Sequence, residues 1–183
     1  MIGKFLAAAA ISVLPASLWA QAAPAIKGGL PPLSVGGFYS NFIPDFTPNR
    51  LGGAGIFIDW DIFRKFNLGV EGEARWLRFN QQLGSYEDNY LVGPRYSRHY
   101  GKFVPYVKFL MGAGEFEFPN GYGHGGYFAY APGGGLDYRL TRKVTIRAID
   151  YEYQFWPSAP GGGFPTNGLS PNGFSFGASY RVF

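Results

Sequence analysis

The chain has 183 residues, a formal net charge of +4 and only 15% charged residues, but 18 Phe, 13 Tyr, 4 Trp, 28 Gly and 14 Pro. The absence of cysteine excludes disulfides, a lipoprotein anchor and Cys-ligated zinc. The small positive charge is not clustered, which excludes a nucleic-acid-binding patch, and no cofactor motif is present.

Residues 1–22 carry one early charge, Lys4, an apolar run from Phe5 to Trp19, and the small-residue pattern Ala20-Gln21-Ala22. This is the plan of a cleaved secretory signal peptide. The run is too short for a membrane helix, and nothing later approaches the ~20 apolar residues that one needs. Residues 23–33, with Gly28-Gly29 and Pro31-Pro32, read as an irregular lead-in. Residues 34–183 then form one domain of eight strand-like stretches.

The first, Ser34 to Ile43, is the least regular, with Val35, Gly37 and Tyr39 facing outward. The second, Leu51 to Phe63, sets Ala54, Ile56, Ile58, Trp60 and Ile62 against Gly53, Gly55, Asp59 and Asp61. In the third, Leu68, Val70, Ala74 and Trp76 oppose Glu71, Glu73 and Arg75. The fourth opposes Tyr90, Val92, Pro94 and Tyr96 to Asn89, Gly93, Arg95 and Ser97. The fifth opposes Val107, Phe109, Met111 and Ala113 to Tyr106, Lys108, Gly112 and Gly114. The sixth opposes Tyr130, Leu136, Tyr138 and Leu140 to Gly133, Gly135, Asp137 and Arg139.

The seventh, Val144 to Trp156, breaks parity. Asp150, Glu152 and Gln154 share a face with Val144 and Ile146, while Arg147 sits with Ile149, Tyr151 and Tyr153. Either a bulge near Arg147 or a snorkelling Arg147 at a membrane edge accounts for this. The eighth runs to the last residue, with Phe174, Phe176, Ala178, Tyr180 and Val182 against Ser175, Gly177, Ser179 and Arg181. Short basic turns (Arg64-Lys65, Gly101-Lys102, Thr141-Arg142-Lys143) alternate with longer loops at Asp45 to Arg50, Asn80 to Asp88, Pro119 to Gly126 and Pro157 to Pro171.

The polar faces collect Asp59, Asp61, Glu71, Glu73, Arg75, Arg95, Lys108, Asp137, Arg139, Glu152 and Arg181, interleaved with glycine. Buried charges cost several kcal/mol each unless paired. Mixed signs therefore predict a cross-linked ionic core rather than an open channel, with Glu71 and Glu73 against Arg75, Arg95 and Lys108, and Asp137 against Arg139, as the natural clusters. The apolar faces place Trp60, Tyr96 and Tyr138 near the short turns and Trp76, Tyr90 and Tyr130 near the long loops, as two aromatic belts at bilayer interfaces would require. An eight-stranded interior has room for small and charged side chains, not for such belts. The reading is therefore lipid outside and charges inside.

The closing segment, with Ser175, Gly177, Tyr180, Val182 and Phe183, resembles the carboxy-terminal signal of bacterial outer-membrane barrels. Gly53-Ala54-Gly55, Gly112-Ala113-Gly114 and Gly133-Gly134-Gly135, taken as strand starts, and Pro105-Tyr106-Val107 extend the resemblance to the small eight-stranded family of OmpA, OmpX and the opacity-type porin family. It implies an all-β, eight-stranded antiparallel up-and-down transmembrane β-barrel in the outer membrane with both termini periplasmic. It also implies a monomer whose partners are outer-membrane lipid and lipopolysaccharide, the barrel-assembly machinery with its periplasmic chaperones, and a surface ligand that no loop motif identifies. Gly177, Tyr180, Val182 and Phe183 would carry the assembly signal.

No motif points to catalysis. His99 and His124 read as turn and loop residues, and no G-x-S-x-G nucleophile elbow occurs. Glu71 and Glu73 share a face at carboxylate-pair spacing but point into a filled interior, where ion pairing is the better reading. Gly133 to Gly135 has no Lys-Ser/Thr after it and is no phosphate loop. The function expected is a structural, non-enzymatic barrel with loops free for surface contacts. A narrow pore for ions or small solutes is the alternative, ahead of a lipid-modifying enzyme.

Overall fold

The computed structural model describes residues 31–45, 49–81, 84–121, 123–159 and 168–183. The signal peptide, most of the lead-in and the Gly161-Gly162-Gly163 run lie outside these residues. The described chain forms eight strands: β1 Leu33–Ile43, β2 Leu51–Phe63, β3 Leu68–Phe79, β4 Tyr86–Ser97, β5 Phe103–Glu117, β6 His124–Arg139, β7 Val144–Tyr153 and β8 Asn172–Arg181. Each pairs antiparallel with its sequence neighbours, and β1 pairs with β8 to close an up-and-down barrel. At the seam Val35 lies opposite Tyr180 and Phe38 opposite Gly177. Leu33 and Val182 add backbone bonds to Phe183 and Leu33 respectively. Closure leaves no unpaired edge, which a sheet needs wherever water is absent.

The face assignments follow from strict period-two alternation. Ile56, Ile58, Trp60, Val92, Tyr96, Val107, Phe109, Phe174, Phe176 and Tyr180 are exposed, while Asp59, Glu71, Arg75, Lys108 and Glu152 are buried. A water-soluble barrel has the opposite arrangement, so the solvent this surface suits is hydrocarbon.

Four expectations need correction. His124 is the exposed first residue of β6 and not part of a loop, because β5 and β6 pair as far as Glu117 and His124. The Gly-x-Gly segments at Gly112 and Gly133 lie inside β5 and β6 rather than at strand starts. Their lumen-facing glycines make room for side chains from other strands: a Cβ on Gly133 would lie 3.1 Å from Cε of Lys108. β7 ends at Tyr153; Phe155 and Trp156 make isolated bridges to Tyr130 and Leu169 instead.

The interior, moreover, is not reserved for small and charged groups. Phe38, Phe42, Phe57, Tyr106, Phe116 and Trp156 are buried. Glycines on the same inner face seat them: a Cβ on Gly36 would lie 2.5 Å from the Phe57 ring, and one on Gly114 would collide with Trp156.

The parity break in β7 is a bulge. Arg147 pairs with Gly177 and Asp150 with Ser175, so β7 spends one residue more than β8 over that step. The same extra residue, Ala148, falls between Asp137–Arg147 and Leu136–Ile149 on the β6 side. Ala148 and Ile149 both face outward, and Arg147 and Asp150 are each 1% exposed. The bulge thus brings Arg147 and the Asp150–Glu152 run to the same side of the wall.

Candidate functional site

Four cations organise the middle of the lumen. Lys108 of β5 places Nζ 2.7 Å from Asp150, 3.1 Å from both Glu71 and Glu73, and 3.2 Å from Glu152. Arg147 forks onto both oxygens of Glu71 at 3.1 and 3.0 Å and reaches Asp59 at 3.4 Å. Arg95 bridges Asp59 and Asp137, each at 2.6 Å. Arg75 bridges Glu73 at 2.6 Å and Glu152 at 2.8 Å. Six carboxyl groups (Asp59, Glu71, Glu73, Asp137, Asp150, Glu152) therefore surround four cations and tie β2, β3, β4, β5, β6 and β7 together across the axis.

The buried rings supply a second contact to each guanidinium. Arg147 lies 3.6 Å from the Phe57 centroid, Arg95 4.0 Å from that of Tyr106, and Arg75 4.2 Å from that of Phe42. A guanidinium that forks in its own plane and stacks on a ring has little left to gain from water. Arg can use both modes at once; the ammonium of Lys108 instead takes a carboxylate on every side.

Toward the long loops the polarity falls. Gln154 donates to Glu152 at 2.8 Å, and Trp156 Nε1 donates to Gln154 at 2.8 Å. Trp156 then joins Leu91, Leu110, Phe116, Ala129, Ala131, Ala159 and Leu169 in an apolar plug, with Phe118 and Tyr127 packed against it. Toward the short turns a recess of about 300 Å³ opens, lined by Asp61, Arg64, Asn67, Ser97, His99, Arg139 and Arg181 among others.

Asp59, Glu71, Glu73, Arg75, Arg95, Lys108, Asp137 and Glu152 are thus brought into one cluster. Asp61, Arg139 and Arg181 are not: they make no ion pair within 4.0 Å among the described residues and line the turn-side recess instead. They sit on the short-turn side of the Asp59–Arg95–Asp137 bridge. Arg147, which parity left between two readings, is a central member, and Asp150 enters with it. The signal for both was their conflict of phase, since a charge on an otherwise aromatic face argues for a bulge. Tyr106 lies inward beside Lys108, as its parity indicates, whereas Phe38, Phe42 and Phe57 share the inward parity that a reading restricted to polar residues passes over.

The six aromatics expected at interfaces all point away from the lumen. Trp60, Tyr90, Tyr96 and Tyr130 are exposed, and Trp76 and Tyr138 are half-covered by neighbouring rings, Tyr90 and Phe103. Gly177 packs at the β1–β8 seam, with Tyr180 and Val182 outward and Phe183 joined to Leu33.

Oxygens of Glu71, Glu73 and Asp150 lie within 4.8 Å of one another, a spacing a divalent cation would accept. The Lys108 ammonium already stands among them at bonding distance, so the protein supplies its own cation. His99 and His124 lie toward opposite ends of the barrel, one after β4 and one opening β6.

Residues 5–181 match the family model described as outer membrane protein beta-barrel domain. Among solved structures, Neisserial surface protein A superposes with a TM-score of 0.64 at 11% identity, covering 82% of this chain and 97% of that one. OprG from Pseudomonas aeruginosa superposes with a TM-score of 0.54 at 13% identity, covering 84% and 96%. The outer membrane enzyme PagL reaches 0.47 at 13% identity over 79% and 97%, too loose a likeness to bear on activity. No curated protein sequence matches the chain. At these identities the likenesses to Neisserial surface protein A and OprG speak for fold alone. The chain belongs to the outer membrane protein beta-barrel domain family.

Proposed function

We propose that this outer-membrane barrel is a structural, non-conducting and non-enzymatic protein, with its termini and short basic turns in the periplasm and its long loops at the cell surface. The observation that carries the reading is the filled cross-section. Ten charged side chains, none more than 10% accessible, interlock across the axis. The plug around Trp156 closes the loop side above them. An ion crossing this section would have to displace paired charges in a low-dielectric interior, at several kcal/mol per group. Lipid and lipopolysaccharide would contact the aromatic outer face, and the assembly machinery would read the terminal strand. The loops remain the surface on which a ligand would be met.

Planar-bilayer recording of the refolded chain tests this. The expected result is a flat baseline across ±100 mV, a range on the order of a membrane potential. Stable, uniform conductance steps would overturn it and favour the narrow pore.

A further inference from the structure

The turn-side recess contrasts with the cluster above it. Each deeper cation has at least two carboxylates; among the described residues Arg139 and Arg181 have none within 4.0 Å. They are the last residues of β6 and β8, on either side of β7, and both line every one of the three recesses at this end. Arg139 donates toward His99 Nε2, which a guanidinium can do only to a neutral imidazole. Arg181 Nε is buried and has no hydrogen-bond partner among the described residues. Arg64 adds a third guanidinium to the wall, Asn67 and Ser97 add polar groups, and Asp61 adds a carboxylate; Asp59 and Asp137 line the adjoining recess, where Arg95 neutralises both. Lys102 and Arg142 stand in the third recess.

We infer that this vestibule binds a phosphate group, held between Arg139 and Arg181. Guanidinium forks match phosphate oxygens two at a time, and a dianion relieves the repulsion between two cations that the fold leaves facing one space. Deeper entry is barred, because Arg95 and Asp137 are already paired. The recess therefore holds a terminal group and does not pass it on. The phosphate belongs either to a soluble phosphate monoester or to a lipid whose headgroup ends in a phosphate monoester at the barrel mouth.

The local field supports the assignment. Partial burial, then the charge of Arg139, hold the His99 imidazole below its ordinary value; Arg181 and Arg95 push the same way and Asp61 opposes them. A bound phosphate would favour imidazolium and raise it. The chain has only two histidines, so His99 reports occupancy and His124 serves as the internal control.

The experiment is an NMR titration of the histidine rings in the full chain, refolded in an uncharged maltoside detergent, with inorganic phosphate at constant ionic strength. Saturable movement of the His99 signals is expected, with half-saturation at or below about 10 mM and a rise in its titration midpoint. His124 should stay still. Arg139→Gln and Arg181→Gln should each weaken binding at least tenfold, whereas Arg50→Gln at the loop end should leave it unchanged. Heat-modifiable gel migration reports folding. If Arg181→Gln does not fold, Arg139→Lys, which keeps the charge and loses the fork, should still weaken binding severalfold.

Phosphatidic acid, a lipid whose headgroup is a terminal phosphate monoester, added to the micelles without inorganic phosphate separates the sources. Movement of His99 then identifies a headgroup; movement with inorganic phosphate alone identifies a soluble monoester. No movement with either, equal movement of both histidines, or wild-type affinity in Arg139→Gln overturns the inference. Binding reads the vestibule and conductance the lumen above it, so either proposal can fail alone.

Discussion

Lys108 shows at the level of one residue how the interior holds together. Its ammonium is buried among four carboxylates, so its removal leaves negative charges facing one another without water. Lys108→Met should destabilise the barrel by about 3–5 kcal/mol, the cost of stranding one side of a buried ion pair. Urea unfolding in lipid vesicles measures it. Glu73→Gln should cost clearly less, since the cluster has six carboxyls and four cations and Gln can still accept from Arg75. An equal loss in the two variants would mean that the cluster does not act through charge. At this scale the sequence was legible in identity and in part of the partnership: Glu71 and Glu73 do meet Arg75, Arg95 and Lys108, whereas Asp137 pairs with Arg95 and not with Arg139. Glu71, Arg95 and Lys108 show their common face by parity, but which cation meets which acid depends on how far each strand is staggered. That stagger is decided in part by rings such as Phe57, on which Arg147 stacks.

Elements were most readable where alternation is unbroken. The span Leu51 to Phe63 read from the sequence coincides with β2. His124 was misplaced because its glycine and tyrosine neighbours resemble a loop, whereas the backbone there is paired to β5 through Gly125 and Gly126. In β7 the alternation itself changes phase, and periodicity cannot choose between a bulge and a snorkelling arginine; the pairing on both sides does. Deleting Ala148 should therefore be tolerated, because it leaves Arg147 and Asp150 two residues apart and both inward, with β7 and β8 in step. Deleting Tyr151 instead puts Asp150 and Glu152 out of phase, so that one of these carboxylates must face hydrocarbon. Gel migration of unheated samples checks this: the Ala148 deletion should keep the folded band and the Tyr151 deletion should lose it.

For the molecule as a whole, the orientation proposed above can be tested because the chain contains no cysteine. Asn120→Cys on the loop side should react with a membrane-impermeant maleimide on intact cells. Thr141→Cys in a short turn should react only after the outer membrane is permeabilised, and the reverse pattern would invert the barrel. The wall also constrains its own completion. Phe38 crosses the β1–β8 seam with Gly177 beneath it, and a Cβ at that position would come within 2.8 Å of the Phe38 backbone. Sliding the last strand by two residues keeps every side chain on its proper side but sets Ser175 or Ser179 under the ring, where the added atoms have no space. The final zipping step therefore proofreads itself: a single glycine admits one alignment and refuses its nearest look-alikes.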